Sequence, residues 1–309
     1  MTSNSLRLGT RGSALALTQA ELVARALGGA EVVPIKTSGE SGDRAASRAQ
    51  AGDKARFVRG IESALLASEV DIGVHSAKDL PSDPPEGLRI AGVPKREDPL
   101  DCWIGPESSL EAVPEGARVG TSSLRRRAQL LALRPDLELI DLRGNVDTRL
   151  AKLRDGDYDG IVLASAGLVR LGRSDEIAFH LEAREMTPAA GQGALALQTR
   201  ADHRRAAEAA ARIGDPEATA QVRAERAVVA ELEASCNTPL GVQARHHGDG
   251  LMISAFCGLP DGSEWIRDEL EGDRDDPEGL GRALVERMQG AGAGELLERA
   301  ERAVSGATE

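Results

Sequence analysis

The chain has 309 residues, a formal net charge of -12, 41% hydrophobic and 28% charged residues, and only 2% aromatics. At about 100–200 residues per domain, this predicts two or three soluble globular domains with cores of Leu, Val, Ile and Ala. The acidic balance argues against nucleic acid or an anionic membrane as partner, and the aromatic shortage removes the stacking platforms of a single-strand binder.

The opening "MTSNSLRLGTRGSALAL" has no basic segment followed by a long apolar one, so it does not read as a secretory signal. No run of about 18 apolar residues predicts a membrane span. Cys102, Cys236 and Cys257 are odd in number and lack CxxC spacing. They predict reduced thiols in a cytoplasmic protein, with neither a disulfide framework nor a metal site.

In chain order, "LRLG" reads as a strand, and Leu15, Leu22, Val23 and Ala26 follow at helical spacing. "EVVPIK" is a second strand. Thr37–Arg56, rich in Gly, Ser and Ala and without periodicity, reads as a mobile loop. Val58, Ile61 and Leu65 restart a helix, and "VDIGV" is a buried strand ending at His75. The Pro-rich "VPKREDPLD" reads as a hinge. Beyond it the alternation repeats: "ARVG", a helix from Ser122, "LELIDL", a helix carrying Val146, Leu150 and Leu153, then "GIVLA". Strands alternating with helices predict parallel sheets covered on both faces.

"PAAGQGALALQTR" is strand-like and precedes an Ala-rich helix, and a further helix runs from about Pro216 to Ala234. The pattern then changes. "PLGVQAR", "GLMISAFCG" and "SEWIRDEL", joined by "HHGDG" and "PDG", predict an antiparallel meander with Leu251, Ile253, Ala255 and Cys257 on one face. Closing helices carry Leu297, Ala300 and Val304 on one stripe.

Two segments echo each other: "RLGTRGSAL" and "RVGTSSLRR" both run strand, Gly-Thr, polar pair, helix. A serine there caps the helix, and the free N–H groups at its start favour an anion. Arg11, Arg125, Arg126, Arg143, Arg149 and Arg170 lie at predicted strand ends or first helical turns, where ligands of open α/β sheets bind. Their planar forks suit carboxylates, so the cluster points to a small polyanionic ligand. For one such arginine, pairing with a surface acid is the better reading; six at equivalent places favour the ligand. Asp79 in "VHSAKDLP" suits acid–base work or the holding of a developing cation, with Lys78 beside it to keep it ionised. His75 reads as a satisfied, half-buried histidine, and the alternation of side chains along a strand argues against a Ser76-His75-Asp79 triad. Asn145 in "LRGNVDTRL" caps a helix, and the glycines of "PAAGQGAL" let Gln192 sit close to a ligand. Cys257 alternates with core positions. Cys236, in the polar, Pro-terminated "SCNTPLG", reads as accessible, hence a nucleophile or an attachment point.

"LGTRGSALAL", "VHSAKDLP", "KREDPLD", "GTSSLRRRAQL", "LRGNVDTRL", "LASAGLVRLG", "PAAGQGAL" and "SCNTPLG" stand in this order along nearly the whole chain. Together they closely resemble the porphobilinogen deaminase (hydroxymethylbilane synthase) family. The resemblance implies an α/β fold of two lobes like type II periplasmic binding proteins plus a C-terminal α+β domain with a three-stranded antiparallel sheet. It divides the chain into residues 1–95 with 189–213, 99–187, and 216–309. It also implies a transferase of porphyrin and heme biosynthesis that joins four porphobilinogen molecules head to tail and releases ammonia each time. A covalent dipyrromethane primer would be held through a thioether on Cys236. Asp79 would stabilise the cationic azafulvene formed as ammonia leaves. The six arginines would bind acetate and propionate groups, helped by Ser13, Ser76, Lys78, Thr121, Ser123, Asn145 and Gln192. The lid sequence departs from the family's "GGKGLFVKELE": here it is "AGDKARFVRGIE", with Lys54 and Phe57 retained but Asp53, Ala55 and Arg56 altered. With no visible oligomer interface, a monomer acting on a small-molecule substrate is expected.

Overall fold

The computed structural model describes residues 5–35, 53–234 and 238–306. The chain opens with β1 (Arg7–Arg11), α1 (Ala14–Ala26), β2 (Glu31–Ile35), α2 (Asp53–Leu66), β3 (Ile72–Ser76), a 3-10 turn at Ala77–Asp79, and β4 (Leu88–Gly92). Next come β5 (Asp101–Ile104), β6 (Arg118–Gly120), α3 (Leu124–Leu133), β7 (Glu138–Ile140), α4 (Val146–Arg154), β8 (Gly160–Ala164), α5 (Ser165–Arg170) and β9 (Phe179–Leu181). The chain continues with β10 (Leu195–Arg200), α6 (Arg204–Arg212), α7 (Pro216–Glu231), β11 (Leu240–His247), β12 (Gly250–Gly258), β13 (Trp265–Gly272), α8 (Pro277–Gly290) and α9 (Ala293–Gly306).

These elements form two compact units: residues 1–97 with 194–219, and residues 98–193 with 220–309. The first holds a five-stranded sheet in the order β2-β1-β3-β10-β4, and the second holds one in the order β7-β6-β8-β5-β9. The second unit also contains the antiparallel sheet β11-β12-β13. The expected α/β class is therefore present: two α/β lobes, each on a five-stranded sheet, and a three-stranded antiparallel sheet.

The five-stranded sheets are mixed, which corrects the expectation of purely parallel ones. β10 runs antiparallel to both β3 and β4, and β5 antiparallel to β8 and β9. The register gives the reason. The first residue of β10, Leu195, pairs with the last of β3, Ser76, and the first of β5, Asp101, pairs with the last of β8, Ala164. Each strand enters its sheet beside the C-terminal end of its neighbour, so it must run the other way. The short strands β4, β5 and β9 give no clear signal in sequence, being three to five residues long with little alternation. The predicted loop ends earlier than expected, since α2 begins at Asp53; its residues 37–52 lie outside the described residues.

Apolar spacing places the cores as expected. Leu8, Val23, Ile72, Val74 and Leu197 pack in the first lobe. Val119, Leu130 and Val162 lie in one cluster of the second lobe, Ile161, Leu163 and Leu150 in another. Leu251, Ile253, Ala255 and Cys257 share the face of β12 that meets α8 and α9, as their alternation predicts. Cys102 and Cys257 are both buried, and desolvation pushes each thiol up to about 12, so they are inert core residues. Cys102 points its thiol at the Leu163 carbonyl, 3.5 Å away.

Candidate active site

Both Gly-Thr turns form as read. Ser13 caps α1 by accepting the Ala16 N–H at 3.4 Å, and Ser123 caps α3 by accepting the Arg126 N–H at 3.5 Å. Buried Thr121 accepts the Ser123 N–H at 3.2 Å, which fixes the turn from inside. Asn145 caps α4 through Thr148, accepting its N–H at 2.9 Å and its hydroxyl at 2.8 Å.

The densest charge cluster lies at the start of α3. Arg125 and Arg126 are buried, 5% and 6% exposed, around Asp101, which has no exposure at all. Arg125 Nη1 donates to Asp101 Oδ2 at 2.6 Å and to the Thr187 carbonyl at 2.7 Å. Arg126 donates from Nε and Nη2 to Asp101 Oδ1 at 3.0 and 2.7 Å, and from Nη1 to the Val162 carbonyl at 2.8 Å. Gln192, also buried, donates from Nε2 to the same Asp101 oxygen at 3.0 Å and to the Pro99 carbonyl at 2.7 Å. Burial opposes ionisation of Asp101, but the two guanidiniums outweigh it and hold the carboxyl well below the usual carboxylate range.

One buried carboxylate against two guanidiniums leaves a net positive charge. Arg149, on α4, adds to it. Its Nε donates to the Gly144 carbonyl at 2.8 Å, and its pKa is lowered first by burial and then by the like charge of Arg126. Burial likewise lowers the pKa of Arg125. Crowding desolvated cations is costly without an anion to receive them, so the cluster is built for a negatively charged ligand. Arg170, at the end of α5, donates to the Gly193 carbonyl at 2.6 Å, beside Gln192. Arg143 is not drawn into the cluster. Its side chain is 77% exposed, with Asp141 at 3.6 Å.

In the first lobe, Arg11 ends β1, and Lys78 and Asp79 sit half-buried on the 3-10 turn after β3. Ser76 exchanges hydrogen bonds with Gln19 at 3.3–3.4 Å. His75 differs from expectation. It is buried rather than half-buried, and its Nε2 has no hydrogen-bond partner among the described residues. Burial lowers its pKa to about 4, against smaller opposing effects of Gln198 and Asp79, so the imidazole is neutral at pH 7. Lys54 and Phe57 belong to α2, but their side chains lie outside the described residues, as does Cys236.

Sequence reasoning misses Asp101, Gln129 and Glu225. The signal for Asp101 is an acid opening the otherwise apolar "DCWI". Buried Gln129 accepts the Thr187 N–H at 2.7 Å and donates to the Thr187 carbonyl at 3.0 Å. Arg267 of β13 donates to the same Gln129 oxygen at 3.1 Å and so ties the antiparallel sheet to α3. Buried Glu225 of α7 accepts the N–H groups of Gly191 at 2.6 Å and Ala244 at 2.7 Å, bracing the loop that carries Gln192. Gln129 and Glu225 lie on helices with several other polar and charged residues, so neither stands out in sequence.

Two family models match the chain: "Porphobilinogen deaminase, dipyromethane cofactor binding domain" over residues 6–208 and "Porphobilinogen deaminase, C-terminal domain" over residues 219–290. The chain belongs to the porphobilinogen deaminase family. It is 47% identical to the porphobilinogen deaminase of Thermus thermophilus, over 94% of this chain and 97% of that one. To the porphobilinogen deaminase of Roseiflexus castenholzii it is 46% identical, over 95% and 99% of the two chains. Among solved structures, the periplasmic sulfonate-binding protein SsuA from Methylobacillus flagellatus KT matches 74% of this chain and 68% of its own, with a TM-score of 0.39 and 13% identity. The cofactor-binding match spans Asp79 and every candidate arginine, and Cys236 falls in the C-terminal match.

Proposed function

We propose that this protein condenses four porphobilinogen molecules into hydroxymethylbilane, releasing ammonia at each step, on a dipyrromethane primer held by a thioether to Cys236. The observation that carries this reading is the buried Arg125–Arg126 pair beside Arg149, an excess of desolvated cations in a chain of net charge -12 whose family binds a dipyrromethane cofactor. Such a primer carries acetate and propionate groups, and the guanidinium forks fit them in charge and shape. When bound, it supplies the pyrrole carbon to which substrate is joined.

The chain's own residues have separable tasks. Arg125, Arg126, Arg149 and Arg170 bind carboxylates, with the Thr121–Ser123 turn and its helix N-terminus as further donors. Arg11 and Ser13 supply the equivalent turn of the first lobe, with Ser76 and Lys78 near the strand end. Arg143 and Asn145 offer exposed donors at the start of α4. Gln192 acts through Asp101, as its bonds suggest. Asp79 keeps a carboxylate near the reacting centre, where positive charge develops as ammonia departs; a fixed anion is worth most where water is sparse. Lys54 and Phe57 belong to a lid segment. We further propose a cytoplasmic monomer without nucleic-acid or membrane partners. No described helix is long and apolar enough to cross a membrane, and the net charge repels polyanions.

Intact mass tests the proposal directly. The purified protein should exceed its sequence mass by a two-pyrrole adduct, and peptide mapping should locate it on Cys236. Active enzyme with an unmodified Cys236 would refute the tether.

A further inference from the structure

We infer that Asp101 is a positioning residue for the anion-binding arginines, one that sets both the direction and the net charge of the pair. The inference rests on the carboxylate-binding reading of Arg125 and Arg126. Asp101 Oδ2 takes Nη1 of Arg125 alone, while Oδ1 takes Nε and Nη2 of Arg126 together with Gln192. The Nε and Nη2 contacts define the plane of the Arg126 guanidinium. The backbone carbonyls of Val162 and Thr187 hold the remaining tie of each arginine. Arg125 spends its bonds through Nη1, so its Nε and Nη2 have no partner among the described residues. That edge is the part of the pair left for a ligand's carboxylate.

The charge count matters as much as the geometry. With no acid, two adjacent buried guanidiniums would repel each other and seek water. With two acids, the site would be neutral and offer an incoming carboxylate nothing. One acid leaves one unit of positive charge. Gln192, a neutral donor, completes the shell of Asp101 without changing this sum. Its loop is braced in turn by Glu225, which accepts the Gly191 N–H at 2.6 Å. The equivalent strand of the first lobe carries Leu195 at the register position of Asp101, and the first helical turn there has Leu15 and Ala16 in place of the arginines. Acid and arginines are present together in one lobe and absent together in the other.

The test uses the full chain and the variants Asp101→Asn, Asp101→Glu and Arg125→Ala. Three quantities are read: melting temperature, the fraction carrying the two-pyrrole adduct by intact mass, and kcat and KM for porphobilinogen. For Asp101→Asn we expect KM to rise at least about tenfold and the loaded fraction to fall, with kcat per loaded molecule changed less than about threefold, the pattern of lost uniform binding. Asp101→Glu, which keeps the charge but moves it by one methylene, should give an intermediate KM. A lower melting temperature with unchanged KM and loading in Asp101→Asn would reduce Asp101 to a fold-stabilising residue and overturn the inference. If Asp101→Asn does not accumulate as folded protein, a parental KM in Asp101→Glu overturns it instead. Arg125→Ala separates the two layers. Normal loading and KM in that variant would remove the carboxylate reading itself, and the role of Asp101 with it. Lost loading in Arg125→Ala beside normal loading in Asp101→Asn would remove only the latter.

Discussion

The two α/β lobes are built on one frame and furnished differently. In each, an arginine at the start of the second strand in sheet order grips an acid just before the central strand. Arg7 donates from its backbone N, Nε and Nη2 to Asp71 at 2.8, 3.2 and 3.1 Å. Arg118 makes the same three bonds to Asp159 at 2.7, 3.2 and 2.9 Å. In each lobe Gly-Thr follows the arginine by two or three residues, a serine caps the next helix, and an antiparallel strand enters beside the end of the third. Counted from the capping serines, Leu15 matches Arg125 and Ala16 matches Arg126; counted by strand register, Leu195 matches Asp101 and His75 matches Leu163. The frame fixes where side chains go, and the chemistry comes from a few substitutions on it.

The first lobe presents one carboxylate, Asp79, on a three-residue turn. The second presents a cationic cluster whose members are largely committed to protein bonds before any ligand arrives. The largest expected effect breaks this division on the acidic side. Asp79→Ala should lower turnover by at least about a hundredfold, the usual scale for removing a group aimed at developing charge. Its melting temperature should stay close to the parent's, because Asp79 is only half-buried. Single-turnover ammonia release checks this, and a near-parental rate would mean that the carboxylate at this turn is not part of the chemistry.

How much of this is legible in sequence follows from what each feature needs. Strands and helices with clear periodicity are readable, as are the capping serines, because cap and helix lie within four residues of each other. The arginines can be placed at strand ends by pattern alone. Their inward partners cannot. Asp101 lies 24 and 25 residues before Arg125 and Arg126, and Gln192 lies 91 beyond Asp101. Nothing local says that these meet. The antiparallel strands are hidden for the same reason, since direction depends on where the chain re-enters a sheet. The place of His75 at the end of an apolar strand suggests half-burial. Ile61 and Leu65 of α2 pack over Gly73 in the same space as His75 Nε2, which an added Cβ there would approach to 2.8 Å, and His75 is only 5% exposed.

His75 gives the next comparison, since the second lobe has Leu163 at that position. The imidazole is neutral and buried near Gln198, Glu62 and Asp79, and its pKa falls from 6.5 to about 4. The sign follows from proton uptake: between these values the unfolded chain binds a proton that the folded chain refuses. Stability is therefore full above about pH 6.5 and declines as pH falls toward about 4, by about 3 kcal/mol in total at 1.36 kcal/mol per unit. His75→Leu copies the second lobe's residue into the first and should flatten this part of the curve. Denaturant melts from pH 7 to pH 4 measure it, and an unchanged slope in the variant would assign the acid sensitivity to other groups.

The smallest expected effect concerns the arginine–acid brace, where the two lobes are most alike. The hydrogen bonds match to within about 0.2 Å, so any difference in contribution must come from surroundings. Asp71 is 12% exposed and takes a second partner, His203, at 3.3 Å, whereas Asp159 is 42% exposed. Solvent screening weakens the exposed pair, and the long side chains lose entropy in holding either one. Arg7→Ala should therefore lower the melting temperature more than Arg118→Ala. Added salt should close part of the gap between the Arg118 variant and the parent, since screening acts mainly on exposed charges. Equal losses, or a larger one for Arg118, would mean that bond geometry rather than burial sets the value of the brace. The lobes would then be equivalent in energy as well as in form.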